Sequence, residues 1–124
     1  MKYLVMIYTD ESLIDALPAG EYDAMMRGCL NHADELRDGG CLLDSQQLEA
    51  PRSARTIRVR NGRTSIVDGP FTETKEMLAG FNLIEADSFD EAVRIAQEFP
   101  WACLGSIEVR PVRDQSLVRQ RVGA

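Results

Sequence analysis

The sequence has little of what metal centres and nucleophilic catalysis require. It holds one histidine, His32, too few for a histidine-built metal site. Its three cysteines, Cys29, Cys41 and Cys103, are an odd count with no C-x-x-C pair, which argues against both a disulfide framework and a zinc site. They are expected to serve as small buried hydrophobes. No Ser-His-Asp, Cys-His, phosphate-loop or metal-ligand spacing occurs, so neither a metal nor a cofactor is expected. No apolar run approaches the roughly 20 residues of a bilayer-spanning helix, which leaves the membrane out of the expected partners. Positive charge is in deficit: 14 Lys+Arg stand against 20 Asp+Glu, for a net charge of −6. Such a chain repels polyanions, and nucleic acid is not an expected partner. Repeats, low-complexity tracts and linker-like stretches are missing too. With 124 residues the chain reads as one domain, residues 1–112, followed by a tail, residues 113–124. The opening "KYLVMIY" lacks the successive charged, apolar and small-residue regions of a signal peptide, so a cytoplasmic location is expected.

What is present is strongly patterned. In residues 2–8, Tyr3, Val5 and Ile7 alternate with Leu4, Met6 and Tyr8, a strand with two apolar faces. Between Pro18 and Asp38, Tyr22, Met25, Met26, Cys29, Leu30, Ala33 and Leu36 recur at the spacing of one helical face, stopped by Gly39-Gly40. "CLLDSQQL" at 41–48 reads as a strand. Asn61-Gly62 marks a type I′ turn, pairing Ile57 with Ile66 and Val59 with Thr64, and setting Arg58, Arg60 and Arg63 on the other face. "AGFNLIEA" at 79–86 is a further strand. Ser88 and Glu91 form a capping box for a helix whose face carries Phe89, Ala92, Val93, Ala96 and Phe99, ended by Pro100. "GSIEVRPV" is the last strand. The order β-α-β-β-β-β-α-β predicts an α+β, ferredoxin-like antiparallel sheet with two helices on one face. The opposite face, with Leu4, Met6 and Tyr8, then needs a second copy of the chain to cover it.

"DGPFTETKE" at 68–76 resembles the signature of the DGPF-domain proteins, within the wider YCII-related family. "KYLVMIY", "ARTIRVRNGR", "AGFNLIEA", "DEAVRIA" and "GSIEVRPV" follow the same pattern in order, so the resemblance spans nearly the whole chain. It implies a dimeric α+β barrel of ferredoxin-like subunits, and in some members an association with an extracytoplasmic-function sigma factor. The family pattern also implies a dyad, a histidine in the first helix and an aspartate just before the proline after the second. Here those places fall near Cys29 and at Phe99, and His32 lies about one turn further along, on the border of the apolar face.

The 68–76 segment admits two readings. Asp68-Gly69-Pro70 is turn chemistry, Thr72 or Thr74 can cap a short helical turn, and Lys75 can pair on the surface. Alternatively the loop folds over a cleft and presents Asp68, Lys75 and Glu76 to a ligand. The arginine row reads either as an anion site or as a solvated hairpin face. Trp101 either lines a pocket or plugs an interface. Two functions are therefore carried forward. One is a homodimer that binds a small polar metabolite near residues 68–76, with acid-base chemistry by Asp68, Glu76 or His32. The other is a non-catalytic regulatory or scaffold dimer linked to a sigma-factor system. A monooxygenase role rests on fold analogy alone.

Overall fold

A computed structural model describes residues 1–124. The elements run β1 (Lys2–Thr9), α1 (Glu11–Asp15), α2 (Glu21–Asp38), β2 (Leu42–Gln47), β3 (Arg55–Arg60), β4 (Arg63–Asp68), β5 (Met77–Glu85), α3 (Phe89–Gln97), β6 (Gly105–Pro111) and α4 (Gln115–Val122). Four strands form one antiparallel sheet in the order β2-β5-β1-β6, the ferredoxin-like arrangement expected. β3 and β4 do not join it. They pair only with each other, so the hairpin is an insertion between β2 and β5 rather than two more strands of the sheet.

The two-faced pattern of β1 is realised. Tyr3, Val5 and Ile7 are buried under the helices, while Leu4, Met6 and Tyr8 lie on the other face and remain partly exposed. On β5, Phe81 and Leu83 are the cross-strand neighbours of Met6 and Leu4, and they extend that open apolar surface. One core cluster joins Tyr3, Val5, Leu42 and Ile84 to Ala33 of α2 and to Ala92, Ile95 and Ala96 of α3. A second joins Ile7, Phe99, Trp101 and Leu104, flanked by Tyr22, Met25, Met26 and Cys29. Val5 and Ile84 are sealed from solvent, each contributing about 1.5–3 kcal/mol of apolar transfer.

Several helix ends behave as the sequence requires. Gly40, at φ +81°, supplies the left-handed turn after α2, while Gly39 keeps helical geometry. At α3 the Ser88 hydroxyl accepts from the Glu91 N–H at 3.1 Å. The Glu91 carboxylate returns to the N–H of Asp87 at 2.8 Å, one residue before the cap. Ile95, not Phe89, completes the buried face of α3, because Phe89 lies in its first turn at the domain edge. α1 was not foreseen; it is a single turn capped by Asp10. Nor was α4, which is capped by Asp114 but buries no residue. Cys29 and Cys41 are part-buried as expected, whereas Cys103 is exposed, in the turn that follows Pro100.

β6 starts where a side chain has no room. A Cβ on Gly105 would overlap the carbonyl oxygen of Tyr8, far inside van der Waals contact, so only glycine lets β6 close against the end of β1.

Candidate functional site

The 68–76 loop contains no helical turn. It is held by one backbone hydrogen bond and by side chains instead. The Gly69 N–H donates to Ala54 O at 2.7 Å, the Thr56 hydroxyl to Gly69 O at 2.9 Å, and the Arg58 guanidinium to Phe71 O at 2.9 Å. Gly69 adopts φ +98°, a left-handed geometry that any other residue would resist. Thr74 Oγ1 donates to Glu76 O at 2.7 Å, turning the chain back into β5. Of the row Arg58, Arg60 and Arg63, Arg58 is thus spent on shaping the loop and Arg60 on Val59 O at 2.9 Å. The row does not converge on a cavity.

Between this loop and the end of β1 lies a polar cleft of about 630 Å³. Asp68, Thr74 and Lys75 border it from the loop, Arg52 from the turn before β3, and Asp10 and Ser12 from the start of α1. Asp10 is the residue that sequence reasoning missed. Its backbone N–H donates to Leu104 O at 2.8 Å, which draws it into the body of the domain. Its side chain is 6% exposed, and Oδ1 accepts from the Ser12 hydroxyl at 2.6 Å and from the Ser12 N–H at 2.9 Å. Oδ2 faces Lys75 Nζ at 3.8 Å. The Ser12 hydroxyl is the main influence holding the Asp10 carboxyl below the usual carboxylate range. Burial opposes it, and the Ser12 N–H, the Lys75 charge and the Leu13 N–H assist. Asp10 is therefore ionised at neutral pH, with one oxygen turned to the cleft. The available signal was the string Asp10-Glu11-Ser12 directly after a strand, an Asp-x-Ser cap whose burial is a tertiary fact.

The four expected site residues separate. Asp68 and Lys75 border the cleft; Asp68 is 92% exposed and makes only a long contact, 3.5 Å, with Arg55 Nε. Glu76 turns to the opposite side, where Oε1 accepts from the Ser106 hydroxyl at 2.6 Å. His32 lies between α2 and α3. Its ring packs edge-on against Phe99, with centroids 5.5 Å apart, and Nε2 stands 2.8 Å from Glu98 Oε2. Nε2 has no hydrogen-bond partner in the chain, so this is a close approach without a formed hydrogen bond. The histidine thus meets a carboxylate one residue before Phe99, where the sequence offered no partner. It borders neither the cleft nor the inner cavity below.

A second, smaller cavity of about 170 Å³ lies between α2 and the β2-β5 side of the sheet. Trp101 lines it, buried within the chain rather than at a surface, and its indole N–H points to Cys29 Sγ at 3.3 Å. Burial pushes the Cys29 thiol pKa up, with the Trp101 contact a smaller opposing influence, so the sulfur is an uncharged packing group.

Comparison with known proteins agrees with this architecture. An uncharacterised protein of Rhizobium meliloti (strain 1021) is 39% identical over 114 residues, which cover 90% of this chain and 92% of that protein. Among solved structures, 5-chloro-2-hydroxyhydroquinone dehydrochlorinase from Burkholderia phenoliruptrix AC1100, in complex with 2,5-dihydroxybenzoquinone, is similar with a TM-score of 0.50. The likeness covers 94% of this chain and 98% of that one at 16% identity, and so bears on the fold. The family model described as the YCII-related domain matches residues 1–116, and with the 39% relative it establishes that the chain belongs to the YCII-related family.

Proposed function

We propose that the protein is a homodimer that binds a small polar molecule in the cleft between α1 and the 68–76 loop. The observation that carries this reading is Asp10, a buried, ionised carboxylate at the cleft wall with Lys75 opposite. Its role is to accept a hydrogen bond from the ligand. Four carboxylates, Asp10, Glu11, Asp68 and Glu73, border the cleft against two cations, Arg52 and Lys75. The excess of negative charge favours ligands with hydroxyl or amine donors over anions. A dehydrochlorinase on a similar fold shows that such a scaffold can carry small-molecule chemistry, which supports the reading by analogy only.

The dimer is supported by apolar residues that no core cluster of the chain covers. Leu4, Met6, Phe81 and Leu83 share the face of the sheet that no core cluster covers. On the hairpin, Ile57, Val59 and Ile66 are 57–68% exposed. Both surfaces are larger than isolated apolar side chains on a soluble monomer, and a second copy buries them.

Thermal-shift screening against polyols, amines and organic anions tests the cleft. Stabilisers are expected among the first two classes, with their effect reduced in Asp10→Asn, Asp68→Ala and Lys75→Ala, since a ligand raises stability only through the native form it binds. Equal responses in the parent and all three variants would refute it.

A further inference from the structure

The inner cavity is built differently from the cleft. Neither a carboxylate, a cationic side chain nor the histidine borders it; its walls include Ile7, Tyr22, Met26, Cys29 and Trp101. Of its polar residues, Thr9, Ser45, Gln46, Gln47 and Asn82, only Asn82 is buried, set into the floor. Asn82 alternates with Phe81 and Leu83 on β5, so its side chain faces α2, and the residue is 4% exposed. Asn82 Oδ1 accepts from the Ser45 hydroxyl at 2.6 Å. Its Nδ2 donates to nothing in the chain, yet it is not sealed away with the buried orphan atoms, of which His32 Nε2 is the one instance. That N–H is open to the cavity and is the donor that a ligand's acceptor would meet there.

We infer that this cavity is a second binding site, for an uncharged six-membered ring bearing a carbonyl or ether oxygen that accepts from Asn82 Nδ2. The size fits: an apolar cavity of about 150 Å³ holds one benzene ring, and this one measures about 170 Å³. The charge follows from the walls, because an ionised group here would be desolvated with no counter-charge. The acceptor follows from Asn82, the one buried polar residue of the lining, whose oxygen is already engaged while its Nδ2 is not. Leu30, 57% exposed, stands at the solvent side of the cavity and sets the entrance. This site is independent of the polar cleft, and either can fail without the other.

Trp101 is the only tryptophan, so the indole N–H gives one isolated NMR cross-peak that reports from the cavity wall. Cyclohexanone, which has the acceptor, and benzene, which lacks it, are titrated against the intact chain. Cyclohexanone should move that cross-peak saturably. Asn82→Leu should weaken cyclohexanone about fivefold to tenfold and leave benzene within twofold, the size of one lost hydrogen bond. Leu30→Phe, a change at the exposed entrance that does not threaten folding, should weaken both probes. An indole cross-peak that cyclohexanone leaves in place overturns the inference, as does equal cyclohexanone affinity in the parent and Asn82→Leu. If Asn82→Leu fails to fold, unchanged cyclohexanone binding in Leu30→Phe overturns it instead.

Discussion

Asp10 Oδ2 and Lys75 Nζ stand 3.8 Å apart across the cleft, the carboxylate 6% exposed and the ammonium side chain 83% exposed. The pair is lopsided. A mobile cation in water adds little stability to the fold, whereas a fixed, buried anion is ready to receive a ligand's donor. In the proposed binding mode Lys75 swings aside and Asp10, pinned by Ser12, stays in place.

The pinning of Asp10 sets a pH signature. Its carboxyl pKa is lowered in the native protein, so near the unfolded value of about 3.9 the unfolded chain binds more protons than the folded one. The stabilising contribution is complete above that value and is lost as pH falls through the lower, folded pKa. Thermal midpoints measured between about pH 2.5 and 7 should therefore fall more steeply on the acid side for the parent than for Asp10→Asn. Asp114 has the same cap and a pKa lowered first by the Ser116 hydroxyl, but its helix α4 buries no residue. Asp114→Asn should leave the acid limb unchanged.

Two glycines should respond in opposite directions to alanine. In Gly105→Ala the new Cβ meets Tyr8 O and Thr9 Cα, both backbone, so neither can give way cheaply. A loss of about 3 kcal/mol or more is expected in urea unfolding. Gly28 lies inside α2 with nothing within 4 Å of the added methyl group. Gly28→Ala should stabilise by about 0.5–1 kcal/mol through helix propensity alone.

For the assembly, light scattering on the eluting protein should give about twice the 13.9 kDa chain mass at micromolar concentration. Met6→Arg, in the middle of the open sheet face, should shift it towards monomer without unfolding it, since Met6 belongs to neither core cluster. A monomeric parent would remove the dimer from the proposal.

How far the sequence could be read followed the range of the interactions. Alternation in β1 and the Asn61-Gly62 turn are local, so the two faces of the first strand and the Ile57/Ile66 register were legible. Whether the hairpin joins the sheet depends on how the chain leaves β2 and re-enters β5, and it does not. Asp68 and Lys75 drew notice because they belong to a dense polar string, and the structure places both at the cleft. Glu76 belongs to the same string, but its direction was decided by Ser106 on β6. Asp10 was invisible for the converse reason: its burial comes from Leu104 O and from a loop far along the chain. The contact of His32 with Glu98 depends on the packing of α2 beside α3, which no local spacing encodes.

The most direct test is calorimetric titration of the strongest stabiliser into the parent, Asp10→Asn, Lys75→Ala and Glu76→Gln side by side. Affinity should fall about tenfold or more in Asp10→Asn, the loss of a charge-assisted hydrogen bond, and less in Lys75→Ala. It should hold in Glu76→Gln, whose side chain is turned away to Ser106. Parent-like affinity in Asp10→Asn together with a loss in Glu76→Gln would contradict the account.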